Sequence, residues 1–324
     1  MRVRLADPNL HSFEQLLRDR LPDDEFEWHS DGMSMTGVDV FIGPQFGRAE
    51  AETSDRLRLV QVVGAGTDGI ALESLPKGTT CANAFCHEQS IAEYVVAMAV
   101  LLRRDLLAQD RALREDTWST PVYHPALPHR SDLRSARVGL VGFGNIGKAA
   151  WQAFAALGVQ EGYAVTRSRP ATNWAAGHPQ WSPVDALDDV CEAADVLVVS
   201  APLTPESRGL ISQRRLELLG PQGVLINVGR GPVVDEAALF EALRSGSLGG
   251  AAIDVWYSYP ADGSQGAPSA LPFADLPNVV MTPHTSGLTL QTFAARIECV
   301  AVNIERLRSG QPLENVIVNG ESQA

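Results

Sequence analysis

Residues 138–147 read Val138-Gly-Leu-Val-Gly-Phe-Gly-Asn-Ile-Gly147, an apolar run that breaks into glycines at 142, 144 and 147. The stretch that follows, Lys148-Ala-Ala-Trp-Gln-Ala-Phe-Ala-Ala-Leu157, has helical character, and Gly158 is placed to cap it. Each glycine has a physical use in such a turn. Gly142 permits the tight turn out of the strand, Gly144 lets backbone approach a pyrophosphate, and Gly147 allows the helix to lie close on the strand. Phe143, Asn145 and Ile146 complete the turn, and the helix start offers N–H groups and a positive dipole end to phosphate. A strand, a glycine turn and a helix in this order predict a Rossmann dinucleotide-binding unit, which implies a nicotinamide cofactor and redox chemistry.

Outward from this turn, short apolar runs at 38–42, 57–63, 163–166, 196–200, 224–228, 251–255 and 279–282 alternate with helical stretches. That alternation is the pattern of parallel α/β sheets. Residues 91–104 and 293–307 carry long helical signals, whereas 117–133 and 257–276 lack periodicity and read as connecting or covering segments. At 324 residues the chain is long enough for two cores.

The charge balance narrows the partners. With 39 acidic against 26 basic residues the net charge is -13, which argues against nucleic acid and anionic membrane as partners. The four cysteines, Cys81, Cys86, Cys191 and Cys299, lack CxxC spacing and any zinc-like pairing with histidine, so no metal is expected and the thiols are read as reduced. No run approaches the roughly 18 apolar residues of a membrane span, and the cytosol is the expected compartment.

The end of the second strand bears on which nicotinamide cofactor fits. An acid about 20 residues after the glycines would bind the ribose 2'-hydroxyl and repel a 2'-phosphate. Here Thr166 stands nineteen residues beyond Gly147 and leads into Arg167, Ser168 and Arg169, with no Asp or Glu between Tyr163 and Pro170. The arginines suit a phosphate clamp and the hydroxyls suit its oxygens, so NADP(H) is expected in preference to NAD(H).

Four further segments carry polar residues beyond apolar runs: Ala201-Pro-Leu-Thr-Pro-Glu206, Ile226-Asn-Val-Gly-Arg230-Gly231, Ala252-Ile-Asp254-Val-Trp-Tyr-Ser-Tyr-Pro260 and Met281-Thr-Pro-His284-Thr-Ser-Gly287. Together with the Val63-Gly-Ala-Gly-Thr-Asp-Gly69 turn and Ile91-Ala-Glu93, and in this order, they closely resemble the D-isomer-specific 2-hydroxyacid dehydrogenase family, glyoxylate/hydroxypyruvate reductase-like, from about residue 57 to 318. The resemblance implies two Rossmann-like parallel-sheet domains. One is a flavodoxin-like substrate domain made from 1–103 and 288–324, the other a dinucleotide-binding domain over 104–287, with the active site in the cleft and a homodimer as the assembly. It also implies roles. Arg230 pairs with the substrate carboxylate, the backbone of Gly64, Ala65 and Gly66 assists it, and His284 is the general acid and base. Pro202, Val228, Gly229, Asp254, His284 and Ser286 line the cofactor, Asp254 at the nicotinamide carboxamide.

One position departs from the family pattern. A glutamate normally stands twenty-nine residues beyond the arginine and pairs with the histidine; here that residue is Tyr259, and nearby position 257, often also glutamate, is Tyr257. Without a carboxylate the imidazolium loses stabilisation, so reduction is expected to have a more acidic optimum than in Glu-containing members. Either Tyr259 hydrogen-bonds His284, or Glu88 supplies the missing carboxylate. The expected reaction is hydride transfer between NADP(H) and a small 2-keto or 2-hydroxy acid, glyoxylate- or hydroxypyruvate-like. Oxidation of an oxyanion such as formate or phosphite is the second reading, and a non-catalytic nicotinamide sensor the third.

Overall fold

The computed structural model describes residues 1–168, 177–260 and 264–318. They form two compact units, Met1–Cys86 with Thr289–Ala324, and His87–Leu288. The expected boundary at 103/104 falls at the C-terminal end of the helix Glu88–Arg103, which belongs to the second unit by its contacts.

In the first unit β1 (Arg2–Leu5), β2 (Glu25–Trp28), β3 (Val40–Ile42), β4 (Leu59–Gln61) and β5 (Thr80–Ala82) form a parallel sheet in the order β2-β1-β3-β4-β5. The strand Val316–Val318 adds to β5 antiparallel. Successive residues serve opposite faces. Val3, Leu5, Val40, Ile42 and Leu59 pack with Ile297, Val300 and Ile304 of the helix Leu290–Ser309, while Phe41, Val60 and Cys81 enter a second cluster with Phe46 and Leu75. The central strands β3 and β4 are covered on both faces, which is why they lie in apolar runs.

The second unit holds β6 (Arg137–Val141), β7 (Glu161–Thr166), β8 (Gln180–Pro183), β9 (Val196–Val199), β10 (Val224–Asn227), β11 (Gly250–Ile253) and β12 (Val279–Met281). All are parallel, in the order β12-β11-β10-β9-β6-β7-β8. The chain leaves β6 in one direction for β7 and β8 and crosses to β9 on the other side, so the strand order reverses between β6 and β9. Ligands of open α/β sheets bind beyond the strand ends at such a reversal. Ile91, Val95 and Ala99 of the helix Glu88–Arg103 and Ala150 and Phe154 of the helix Asn145–Ala156 cover one face; Leu187, Cys191, Leu216 and Leu239 cover the other. Gly162 of β7 leaves the space that the Trp151 ring fills.

The two-sheet α/β architecture is the one expected. Strands β1, β2, β5, β8 and Val316–Val318 were not anticipated from the apolar runs, and residues 117–133 contain turns without helix or strand, as their lack of periodicity indicates.

Candidate active site

The glycine turn leaves β6 at Gly142, whose φ of +94° lies in the left-handed region, and a Cβ there would come within 2.9 Å of the Ala201 nitrogen. A Cβ on Gly147 would collide with the Gly142 carbonyl oxygen, whereas one at Gly144 meets nothing within 4 Å. Gly144 caps the helix Asn145–Ala156. The turn thus offers open space directly before a helix start, the cradle a pyrophosphate needs, and these residues fit the dinucleotide. Asn145 is exposed and Ile146 half-buried, but the Phe143 side chain is 7% exposed and packs in the core.

At the end of β7 the Thr166 hydroxyl is committed to the protein: it donates to the Ser168 carbonyl at 2.8 Å and accepts from the Trp181 indole at 2.9 Å. Arg167 and Ser168 are exposed beside it, and Arg169 lies outside the described residues. The Glu206 carboxyl is held below its ordinary value, first by a hydrogen bond with the Thr204 side chain and to a lesser degree by the Arg167 charge. Pro202 is exposed after β9, its carbonyl accepting from the Ser207 hydroxyl at 2.7 Å.

Beyond β10 a residue not foreseen as functional organises the turn. Asn227, 1% exposed, accepts from Gly229 N–H at 3.2 Å and donates its amide to the Arg230 carbonyl at 3.1 Å. Arg230 is half-buried, with Nη1 donating to the Gly229 carbonyl at 2.8 Å. Val228 is in the core, and Gly229 lies so close to Ala201 that a Cβ would stand 2.6 Å from its carbonyl oxygen. A Cβ on Gly231 would strike the Trp256 carbonyl, so the Arg230 turn rests on the backbone that follows β11.

Asp254 is fully buried, and its carboxylate is turned to the loop after β12. Oδ1 accepts from the Thr282 hydroxyl at 2.6 Å and Thr285 N–H at 2.9 Å; Oδ2 accepts from Ser286 N–H at 3.1 Å and from the Ser286 hydroxyl. Tyr94 hydrogen-bonds Thr282 Oγ1 at 2.9 Å, and the Trp256 indole donates to the Thr282 carbonyl at 2.9 Å. Burial pushes the Tyr94 hydroxyl up to about 12, so it stays a proton donor. Between these clamps His284 sits exposed with φ +59°, a conformation non-glycine residues rarely adopt. Tyr94 and Thr282 were not anticipated, because no motif signals a contact made across the fold.

The two tyrosines divide cleanly. Tyr257 is half-buried, donates to the Val234 carbonyl at 3.1 Å and stacks near Phe273; burial raises its pKa. Tyr259 reaches the site: its hydroxyl lies 3.1 Å from His284 Nδ1 and accepts from Trp256 N–H at 3.1 Å. Glu88 opens the helix Glu88–Arg103. Tyr259, Trp256, Met281 and Thr282 help line a cleft of about 420 Å³. In the first unit, the carbonyls of Gly64 and Ala65 are held by Ala84 N–H at 3.1 Å and the Asn83 amide at 2.7 Å. Among the described residues no group of three or more His, Cys, Asp or Glu could hold a metal, and no helix is long and apolar enough to cross a membrane.

Residues 96–286 match the family model for the NAD binding domain of D-isomer specific 2-hydroxyacid dehydrogenase. Hydroxyphenylpyruvate reductase of Plectranthus scutellarioides is 30% identical over 87% of this chain and 86% of its own length. Formate dehydrogenase of Pseudomonas sp. (strain 101) is 30% identical over 94% of this chain and 74% of its own. Among solved structures, an NADPH-dependent glyoxylate/hydroxypyruvate reductase from Sinorhizobium meliloti, in complex with NADP and sulfate, superposes with a TM-score of 0.79 at 25% identity, covering 99% of this chain and 100% of that one. With the glycine turn, the arginine after β10 and the histidine after β12 in place, the chain belongs to the D-isomer specific 2-hydroxyacid dehydrogenase family, NAD(P)-dependent oxidoreductases acting on the CH–OH group.

Proposed function

We propose that this enzyme reduces a small 2-keto acid of the glyoxylate or hydroxypyruvate kind, with NADP(H) preferred, and that Tyr259 replaces the usual carboxylate beside the catalytic histidine. The observation that carries the reading is the contact of the Tyr259 hydroxyl with His284 Nδ1, on a loop that Asp254 holds from both sides. Arg230 grips the substrate carboxylate through two parallel N–H donors, and Gly64-Ala65-Gly66 supplies backbone donors to a carboxylate. The nicotinamide, when bound, supplies the hydride for reduction. His284 gives the carbonyl oxygen its proton from Nε2. Tyr259 serves the ring before and after that step: its oxygen accepts from Nδ1–H of the imidazolium and, once Nε2 has given up its proton, from the same Nδ1–H of the neutral tautomer.

The absence of an acid from 163 to 170, the exposed Arg167 and the NADPH dependence of the Sinorhizobium relative support the cofactor preference. The second reading, formate as substrate, is favoured by the Pseudomonas relative, but retention of Arg230 and His284 suits a keto acid equally, and that substrate fits the other relatives. The four free cysteines fit a cytosolic setting. The exposed Trp118, Val122 and Tyr123 support a homodimer.

Loss of NADPH absorbance is measured with glyoxylate and hydroxypyruvate, beside NADH controls and NAD(P)+ with formate. Turnover of either keto acid with a higher kcat/KM for NADPH is expected. Turnover of formate alone overturns the reading, and so does cofactor binding without any turnover.

A further inference from the structure

Cys86 and Cys299 are 213 residues apart in sequence, yet their sulfurs lie 3.3 Å apart within the first unit. Both are free and half-buried; Cys81 and Cys191 are fully buried, with thiols pushed up by burial to about 11 and about 12. A disulfide needs the sulfurs at about 2.05 Å, so a side-chain rotation of little more than 1 Å closes the gap. The segment carrying Cys86 is held firmly. Asn83 N–H bonds the Asn315 carbonyl at 3.1 Å, Ala84 N–H bonds Gly64, and Arg296 Nε reaches the Phe85 carbonyl at 3.1 Å. Cys86 itself has φ +68°, in the region non-glycine residues rarely enter.

We propose that Cys86 and Cys299 form a reversible oxidation site, at which hydrogen peroxide joins the two sulfurs and so alters the grip of residues 83–84 on the Gly64-Ala65-Gly66 turn. The Cys86 sulfur attacks the peroxide, the O–O bond breaks, and water leaves as the sulfenic acid forms. The Cys299 sulfur then attacks the Cys86 sulfur, the S–O bond breaks, and the Cys299 proton departs with the hydroxyl as a second water. Two electrons pass from the sulfurs to the peroxide. Burial and the neighbouring Cys86 push the Cys299 thiol up to about 12, which disfavours Cys299 as the sulfur that attacks the peroxide first. The link to the turn rests on the reading of that turn as a carboxylate binder; formation of the bond does not.

The test treats the full chain with hydrogen peroxide, counts thiols after denaturation and maps peptides by mass spectrometry without reduction. Two of the four thiols are expected to disappear, a Cys86–Cys299 cross-linked peptide to appear, and dithiothreitol to reverse both. Cys86→Ser and Cys299→Ser should each lose the cross-link and keep the KM of the reduced enzyme. Persistence of all four thiols, or irreversible over-oxidation of Cys86 without a cross-link, overturns the site. In the oxidised wild type KM for the keto acid should rise several-fold and recover on reduction. A cross-link that leaves KM unmoved overturns the coupling to the turn.

Discussion

A carboxylate beside a histidine only accepts hydrogen bonds, whereas the Tyr259 phenol can also donate one. Its oxygen already accepts from Trp256 N–H, so Tyr259→Phe removes the partner of Nδ1 and strands a backbone donor together. A net hydrogen bond of about 1 kcal/mol gives a fall in kcat of about three- to tenfold, with KM for the keto acid little changed. Tyr259→Glu has a different signature. A negative charge beside the ring favours the imidazolium, and reduction needs that form, so activity persists to higher pH before it is lost; the alkaline limb of kcat should move up by about one pH unit or more. A pH profile with an unmoved or downshifted limb would show that Tyr259 is not the histidine's electrostatic partner. Arg167 is the other informative side chain. Arg167→Ala should raise KM for NADPH about ten- to a hundredfold and leave KM for NADH within about twofold, because a charge-assisted bond to a 2'-phosphate is worth about 1.5–3 kcal/mol. Equal losses for both cofactors would remove the argument for NADP(H).

At the level of elements, the strand ends position everything. Gly147 sits where the helix Asn145–Ala156 meets the Gly142 carbonyl, and Gly147→Ala forces backbone apart rather than a flexible side chain. The cost is about 1–3 kcal/mol of stability, read as a lower Tm, with weaker cofactor binding by titration; an unchanged Tm would show that the turn relaxes freely. How far such contacts were legible in the sequence depended on what each residue leaves behind. The central strands β6, β9, β10 and β11 bury both faces and so announced themselves as apolar runs. β1 did not, because Arg4 interrupts it; that side chain is nevertheless buried, its guanidinium 3.1 Å from Glu27. The edge strand β8, Gln180-Trp-Ser-Pro183, has no apolar run at all. Gly142, Arg230 and His284 were readable because their motifs lie within a few consecutive residues. Tyr94 and Thr282 were not, because their bonds to Asp254 and each other exist only once segments distant in sequence lie side by side; the Asn227 bond to Arg230 spans only three residues but takes its form from the turn after β10.

For the molecule as a whole, charge and the exposed segment at 117–133 bear on assembly together. Trp118, Val122 and Tyr123 are 60%, 77% and 64% exposed, and the rings of Trp118 and Tyr123 meet edge to face at 5.9 Å. Such a cluster on a chain of net charge -13 is the kind of surface a symmetric contact between two copies covers. Two like-charged copies repel, and salt screens that repulsion while leaving apolar burial intact. A dimer made through this cluster should therefore tighten as ionic strength rises from low to moderate, measured by sedimentation equilibrium. Val122→Glu with Tyr123→Glu adds charge to the cluster and should yield monomers, with the Tm of the remaining core within a few degrees of the parent's own monomer at high dilution. A dimer that loosens with salt would be held by ion pairs instead, and one that survives both substitutions would use another face of the molecule.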